Sequence, residues 1–165
     1  RMCDSHYSQH RFLLGDRASF GDFTFAGLFK AHIEADPEPR SWIDFCAPEM
    51  IDHMNRVFEA RTDNGDYYPD DQLPETLNPL FEHMRETYHK FLVVSREALI
   101  AGEKWCEVDL GDGPVKMRSL KYSEVSRSHI KKEIESLNPA ERAKVDSILG
   151  PMGVLEAYLL PELSL

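Results

Sequence analysis

The stretch that decides the fold class is Gly15-Asp16-Arg17-Ala18-Ser19-Phe20-Gly21-Asp22-Phe23-Thr24-Phe25-Ala26-Gly27-Leu28-Phe29. Gly15-Asp16-Arg17 breaks whatever precedes it. Ser19 stands three residues before Asp22, so its side chain can accept from the backbone N–H of Asp22 while the Asp22 carboxylate reaches back to the N–H of Ser19. That is the reciprocal logic of a capping box, here with Asp at the third helical position in place of the commoner Glu. From Phe20 to Ile33, beyond the cap, only Thr24, Lys30 and His32 interrupt small or apolar residues. A helix that is apolar nearly all round is expected to be buried.

The pattern extends in both directions. Residues 2–14, with Tyr7, Phe12 and Leu13 as apolar points, read as the end of a helix. Asp36-Pro37-Glu38-Pro39 ends the central helix, because proline lacks an N–H and restricts the residue before it. Pro48 opens a further helix, with Met50, Ile51, Met54, Val57 and Phe58 at helical spacing. Residues 62–73 form an acidic, polar loop. Pro74 begins a long helix with Leu77, Leu80, Phe81, Met84, Tyr88, Phe91, Leu92 and Leu99 in its stripe. The period then changes: Trp105–Leu110 and Val115–Arg118 flank Gly111-Asp112-Gly113-Pro114, which predicts a short hairpin. Helix returns with Val125, His129, Ile130, Ile134 and Leu137 on one face. Asn138-Pro139 with Glu141 reads as a cap and first helical position, and Val154–Leu160 as a last short helix. About six helices and one hairpin predict an all-α protein. The expected organisation is a single helical domain over 1–165: a bundle core over 1–101, a hairpin insertion over 102–119 and a helical extension over 120–165.

The chain has 165 residues, 42% hydrophobic and 29% charged, with a net charge of −10. That is the size of one domain, about 100–150 residues being typical, and an ordinary globular composition. No apolar run approaches the ~18 residues a membrane span needs, so no membrane is expected. Asp and Glu crowd residues 36–109, which makes nucleic acid an unexpected partner. Lys and Arg gather in 115–144, read as a solvated helix face. Cys3, Cys46 and Cys106 are odd in number and widely spaced, which argues for a reducing compartment, the cytoplasm, over a disulfide scaffold. The opening Arg1-Met2 runs at once into helical pattern, so a piece of something longer is expected.

Several groups carry possible chemistry. Cys3, His6 and His10 fall at i, i+3 and i+7, so one helix face could offer a thiolate and two imidazoles to zinc. No fourth ligand is apparent, and no metal site is expected. Asp63, Asp66, Asp70 and Asp71 lack the order and the closing Glu of a calcium loop. His83 and His89 do not share a helix face. Tyr67, Tyr68, Tyr122, Trp42 and Trp105 are candidates for an apolar substrate wall, but core packing is the expectation for them. No catalytic or cofactor-binding residue is singled out. The residues assigned a definite role are Ser19 and Asp22, as a structural cap.

Gly15, then Ser19-x-x-Asp22 at the start of an apolar helix after a Leu-Leu-Gly loop, resembles the C-terminal helical domain of the glutathione S-transferase superfamily. Ala31-His32-x-x-x-Asp36-Pro37 and Ala47-Pro48 are similar to a bacterial branch with a long C-terminal extension, in which a tryptophan is expected where this chain has His53. The resemblance covers residues 10–60 best. It implies a hydrophobic staple between Ala18 and Phe23. It also implies a thioredoxin-like domain, absent from this chain, that binds glutathione and carries the Tyr, Ser or Cys activating its thiol. The chain would then supply packing and part of the electrophile pocket and hold no cofactor itself, glutathione belonging to the intact protein. A homo-oligomer is expected, since a domain stripped of its partner exposes apolar surface. The alternative is a non-enzymatic helical adaptor of the same fold, making protein–protein contacts.

Overall fold

The computed structural model describes residues 2–61, 65–69 and 72–163. It is mainly helical with one two-stranded antiparallel hairpin. The chain divides into two units, Arg1–Leu80 and Phe81–Leu165.

In the first unit α1 spans Met2–Tyr7, α2 Phe20–Phe29, α3 Pro37–Cys46 and α4 Pro48–Glu59. A π-helical turn, Lys30–Glu34, follows α2, and a 3₁₀ turn covers Glu75–Leu77. The expected helix over 2–14 stops at Tyr7; beyond it Phe12 and Gly15 pair as an isolated bridge, and Gly15 pairs again with Tyr67. Gly15 sits at φ +129°, and a Cβ there would meet the Asp66 carbonyl oxygen at 2.7 Å. Only glycine fits that crossing. Asp36-Pro37, expected only to end a helix, also begins one: the Asp36 carboxylate accepts from Glu38 N at 3.2 Å and Pro37 is the first residue of α3. Helix α4 turns Met50, His53, Met54 and Val57 inward. Met54 and Val57 join Phe12 and Ala26 in one core cluster, and Met50 joins Tyr7 and Ala47 in another. Each Met, Val and Phe side chain among these contributes about 1.5–3 kcal/mol by leaving water.

The buried central helix is not what the structure holds. Of α2, Asp22 and Ala26 are buried, while Phe20 is 87% exposed and Phe23 and Leu28 are also open. The all-round apolar composition marks α2 as a helix with two faces to cover, and this unit covers one.

Helix α5 (Asn78–Met84) begins in the first unit and ends in the second, which continues through a π-helical turn at Arg85–His89, α6 (Lys90–Ile100), β1 (Trp105–Asp109), β2 (Pro114–Arg118), α7 (Lys121–Ser136) and α8 (Pro139–Leu149). The strands pair in register Trp105↔Arg118 through Asp109↔Pro114. At the turn the Asp109 carboxylate accepts from Gly111 N at 2.8 Å and Gly113 N at 3.2 Å, and both glycines hold positive φ. Cys106 and Val108 alternate inward along β1 and pack with Phe91 of α6. Helix α8 opens as expected, with Asn138 and Glu141 in a closed capping box and Pro139 at the first position.

Two expectations fail here. The inward face of α7 carries Glu124 and Arg127, while Val125 and Ile130 are exposed. Residues 154–160 are turns and bends, not a continuous helix, and the Tyr158 and Leu160 carbonyls accept from the Arg127 guanidinium at 2.7 and 2.9 Å.

Candidate functional site

Asp22 is the polar centre of the first unit and is wholly buried. Its Oδ2 accepts from Ser19 N at 2.8 Å and from Ser19 Oγ at 2.6 Å, and its Oδ1 accepts from Leu13 N at 2.8 Å. The return bond, from Asp22 N to Ser19 Oγ, is 3.3 Å and completes the box. The carboxylate therefore fixes both the start of α2 and the loop before it. Ala18 packs on the cluster of Phe12, Ala26, Met54 and Val57, while Phe23, its expected staple partner, is 44% exposed.

His53 lies beside Asp22, with Nε2 3.5 Å from Oδ1, and is also wholly buried. Its ring stacks on Tyr7 at 3.6 Å and meets Phe12 edge to face at 6.2 Å. The imidazole thus fills an aromatic slot, at the position where the resemblance expects tryptophan. Burial pulls its pKa down to about 4, against an opposing pull from Asp22. The geometry beside Asp22 is accordingly a neutral ring next to a carboxylate, not an ion pair. Among the described residues neither ring nitrogen of His53 has a hydrogen-bond partner.

His6 and His89 are shifted the same way, each chiefly by burial. All three imidazoles bind protons more readily in the unfolded chain, where their pKa is near 6.5. Their contribution to stability is therefore whole above about pH 6.5 and is lost as pH falls through their lowered folded-state values, about 4 for His53. Unfolding free energy measured across that window should fall, by a few kcal/mol in order of magnitude. His53→Phe keeps the stacking and removes the titration, so its pH profile should be flatter; an identical profile would refute the assignment.

The zinc candidates do not converge. His6 Nδ1 accepts from Thr76 Oγ1 at 2.8 Å and Nε2 donates to the Phe12 carbonyl at 3.3 Å, so both nitrogens are occupied. His10 stacks on His6 and its Nδ1 bonds to the Tyr68 hydroxyl. Cys3 packs with Tyr7, Ala47 and Met50, and burial raises its pKa. Among the described residues no three His, Cys, Asp or Glu side chains come together to hold a metal ion. Of the acidic run, Asp63, Asp70 and Asp71 lie outside the described residues. The backbone carbonyl of Asp66 accepts from Asp16 N at 2.9 Å. The aromatic candidates correct the expectation of core packing: Trp42, Tyr67, Trp105 and Tyr122 are exposed, because each lies on an outward face of its element or loop.

The second unit carries a cavity of about 540 Å³ that no sequence signal indicated. Residues of the π-helical turn Arg85–His89, the start of α6, strand β1 and the segment 153–160 line it, and it is open to solvent. His89 lines it, only 4% exposed. A π-turn beside it is a signature frequent at functional sites.

Compared with known proteins, the chain matches no family model, no curated protein and no solved structure. Among the described residues no helix is long and apolar enough to cross a membrane.

Proposed function

We propose that residues 10–60 are part of the C-terminal helical domain of a glutathione S-transferase-like protein, a packing module and not a catalyst by itself. The single observation that carries this reading is the box at the start of α2, with Asp22 wholly buried and Gly15 at positive φ just upstream. The exposed outer side of α2, with Phe20, Phe23 and Leu28, supports it as a face for a thioredoxin-like domain. In this reading glutathione belongs to that other domain, where a hydrogen-bond donor would lower the thiol pKa. The chain's own cavity does not fit the anionic tripeptide, since Glu86, Glu107, Asp109 and Glu156 stand around it. Three unbridged cysteines suit a reducing compartment such as the cytoplasm.

The second reading is a helical adaptor that binds a protein or a second copy of itself through exposed apolar side chains. Trp42, Phe45 and Phe58 favour it, at 64%, 82% and 61% exposure. The coding sequence upstream of Arg1 separates the two: a thioredoxin-like segment with Ser, Cys or Tyr near its first turn supports the enzyme, and any other segment the adaptor. On the chain itself, titration calorimetry with millimolar glutathione should give no saturable heat. Saturable binding abolished by a substitution within residues 2–163 would overturn the packing-module reading. Sedimentation over a wide concentration range should show reversible self-association in either case.

A further inference from the structure

We infer that a groove at the C-terminal end of α6, which shares no lining residue with the cavity beside His89, binds a small organic phosphate. The ligand class is a phosphomonoester with a compact apolar body, its dianionic head held among Lys104, Arg118 and Lys121.

Charge selects the class. Lys104, Arg118 and Lys121 line the groove and are exposed. Among the described residues none of the three has an ion-pair partner, whereas Lys90, Arg127, Lys131, Lys132 and Arg142 each hold a carboxylate. Glu103 is the one acid in the lining, so three cations stand against one carboxylate and leave an excess of two. A cleft lined by one sign of charge focuses the field and gathers counter-ions. The whole chain carries −10, so an anion that stays here is held by this local excess and not by a general attraction. A phosphomonoester is mostly dianionic at neutral pH, its second pKa being about 6, and it matches the excess where a single carboxylate does not. The Arg118 guanidinium offers the planar fork that suits phosphate oxygens.

The backbone under these cations is fixed. At the end of α6 Gly102 N donates to the Leu99 carbonyl at 3.1 Å and Glu103 N to the Ala98 carbonyl at 2.8 Å. Gly102 stands at φ +75° and turns the chain toward Lys104. Ser119 ties the next crossing: its N donates to the Lys104 carbonyl at 3.0 Å and its Oγ to the Glu103 carbonyl at 2.7 Å. Leu120 N donates to Ser95 Oγ of α6 at 3.0 Å. Ser95 and Ser119 are buried, which shields these bonds from water. Three distant positions in the chain are thereby held around one groove, while their long side chains stay free to close on a ligand. Leu120 and Lys121 also open α7 without a side-chain cap, and the positive end of that helix adds to the field of the three cations.

Size selects the rest. The groove holds about 690 Å³, within the roughly 300–1,000 Å³ of ligand sites. A phosphate head alone fills a small part of that. Leu99 and Leu120 line the groove as well, so an apolar body has walls to lie on. A nucleic-acid strand, charged at every phosphate, would run on into the acidic remainder of the surface. Glutathione does not meet the demand either, because its ammonium group is repelled by the same cations.

The test uses the full chain and three probes with one body: 1-naphthyl phosphate, 1-naphthyl sulfate and 1-naphthol. Fluorescence titration at low ionic strength should show saturable binding of the phosphate. The sulfate, one charge poorer, should bind about tenfold more weakly, and 1-naphthol more weakly still. Added salt should weaken the phosphate, since the cations are exposed. Arg118→Gln and Lys121→Gln should each weaken the phosphate about tenfold and leave 1-naphthol unchanged. Lys144→Gln removes the same charge from an exposed position of α8 outside the groove and should change nothing. In the unmodified chain the backbone amide shifts of Gly102, Lys104 and Lys121 should move on saturation, which locates the site without any substitution. Equal affinity for the three probes, an equal loss in Lys144→Gln and Arg118→Gln, or unmoved amides at those positions would each overturn the proposal. So would a single-stranded DNA oligonucleotide bound more tightly than 1-naphthyl phosphate, or no binding at millimolar concentration.

Discussion

Asp22→Ala is expected to lower the unfolding free energy by about 3–4 kcal/mol, against about 1 kcal/mol for Ser19→Ala. Loss of a capping side chain typically costs ~0.5–2 kcal/mol. Ser19→Ala removes two bonds, the one that Ser19 Oγ donates to Asp22 Oδ2 at 2.6 Å and the long one from Asp22 N at 3.3 Å, and leaves the carboxylate bonded to Ser19 N and Leu13 N. Asp22→Ala strips all three donors at once, in a place with no water to replace it. A buried donor left unpaired costs about 1–3 kcal/mol. Asp22→Asn keeps one carbonyl oxygen and should fall between the two. The double substitution of Ser19 and Asp22 should cost less than the sum, because both singles break the bond from Ser19 Oγ to Asp22 Oδ2. Urea midpoints at constant slope read these differences, and amide exchange at Leu13 and Ser19 reads them locally. Equal midpoint shifts for Ser19→Ala and Asp22→Ala would mean that the bond to Leu13 carries nothing.

Much of this architecture was legible in the sequence, because its signals are local. The Ser19/Asp22 spacing, Asn138-Pro139 and the Gly111-Asp112-Gly113-Pro114 turn each specify bonds within a few residues, and the structure holds a box, a box and a hairpin at those places. Helix α3 was missed although its signal was present: Asp36-Pro37 stops one helix and caps the next.

What the sequence concealed depends on partners far along the chain. The apolar pattern of α2 shows which residues want cover, not whether anything in the chain supplies it, and Phe20 is left open. The burial of His6 depends on Thr76, seventy positions away. His53 and His89 look alike in sequence to the exposed His83. Only the folded surroundings separate a ring stacked on Tyr7 from a ring lining a cavity. The apolar stripe of α7 misled for a related reason: a fully paired guanidinium can be buried in place of a leucine, and no periodicity reports that pairing.

That guanidinium gives the second large expected effect. Arg127 is wholly buried and uses all five of its donors. Nε and one Nη2 proton hold the Glu124 carboxylate in a fork at 2.8 and 2.7 Å. Nη1 donates to the Tyr158 and Leu160 carbonyls, and Nη2 to the Pro161 carbonyl at 3.1 Å. Arg127→Met is expected to cost about 3–5 kcal/mol, because Glu124 then stays buried without its partner. Among the described residues only Arg96, 3.5 Å from Glu124, then remains paired with it. Arg127→Lys keeps the charge but has three donors for five places, so it should recover part of the loss. Glu124→Leu combined with Arg127→Met removes the stranded charge and should be more stable than Arg127→Met alone. The three carbonyls stay unpaired in that double variant, so its C-terminal segment should still loosen. Chymotrypsin cleavage after Tyr158 measures that directly: fast in Arg127→Met, fast in the double variant, slow in the unmodified chain. A double variant that regains stability and resists chymotrypsin would show that the fork to Glu124, and not the grip on the three carbonyls, is what holds the C-terminal segment.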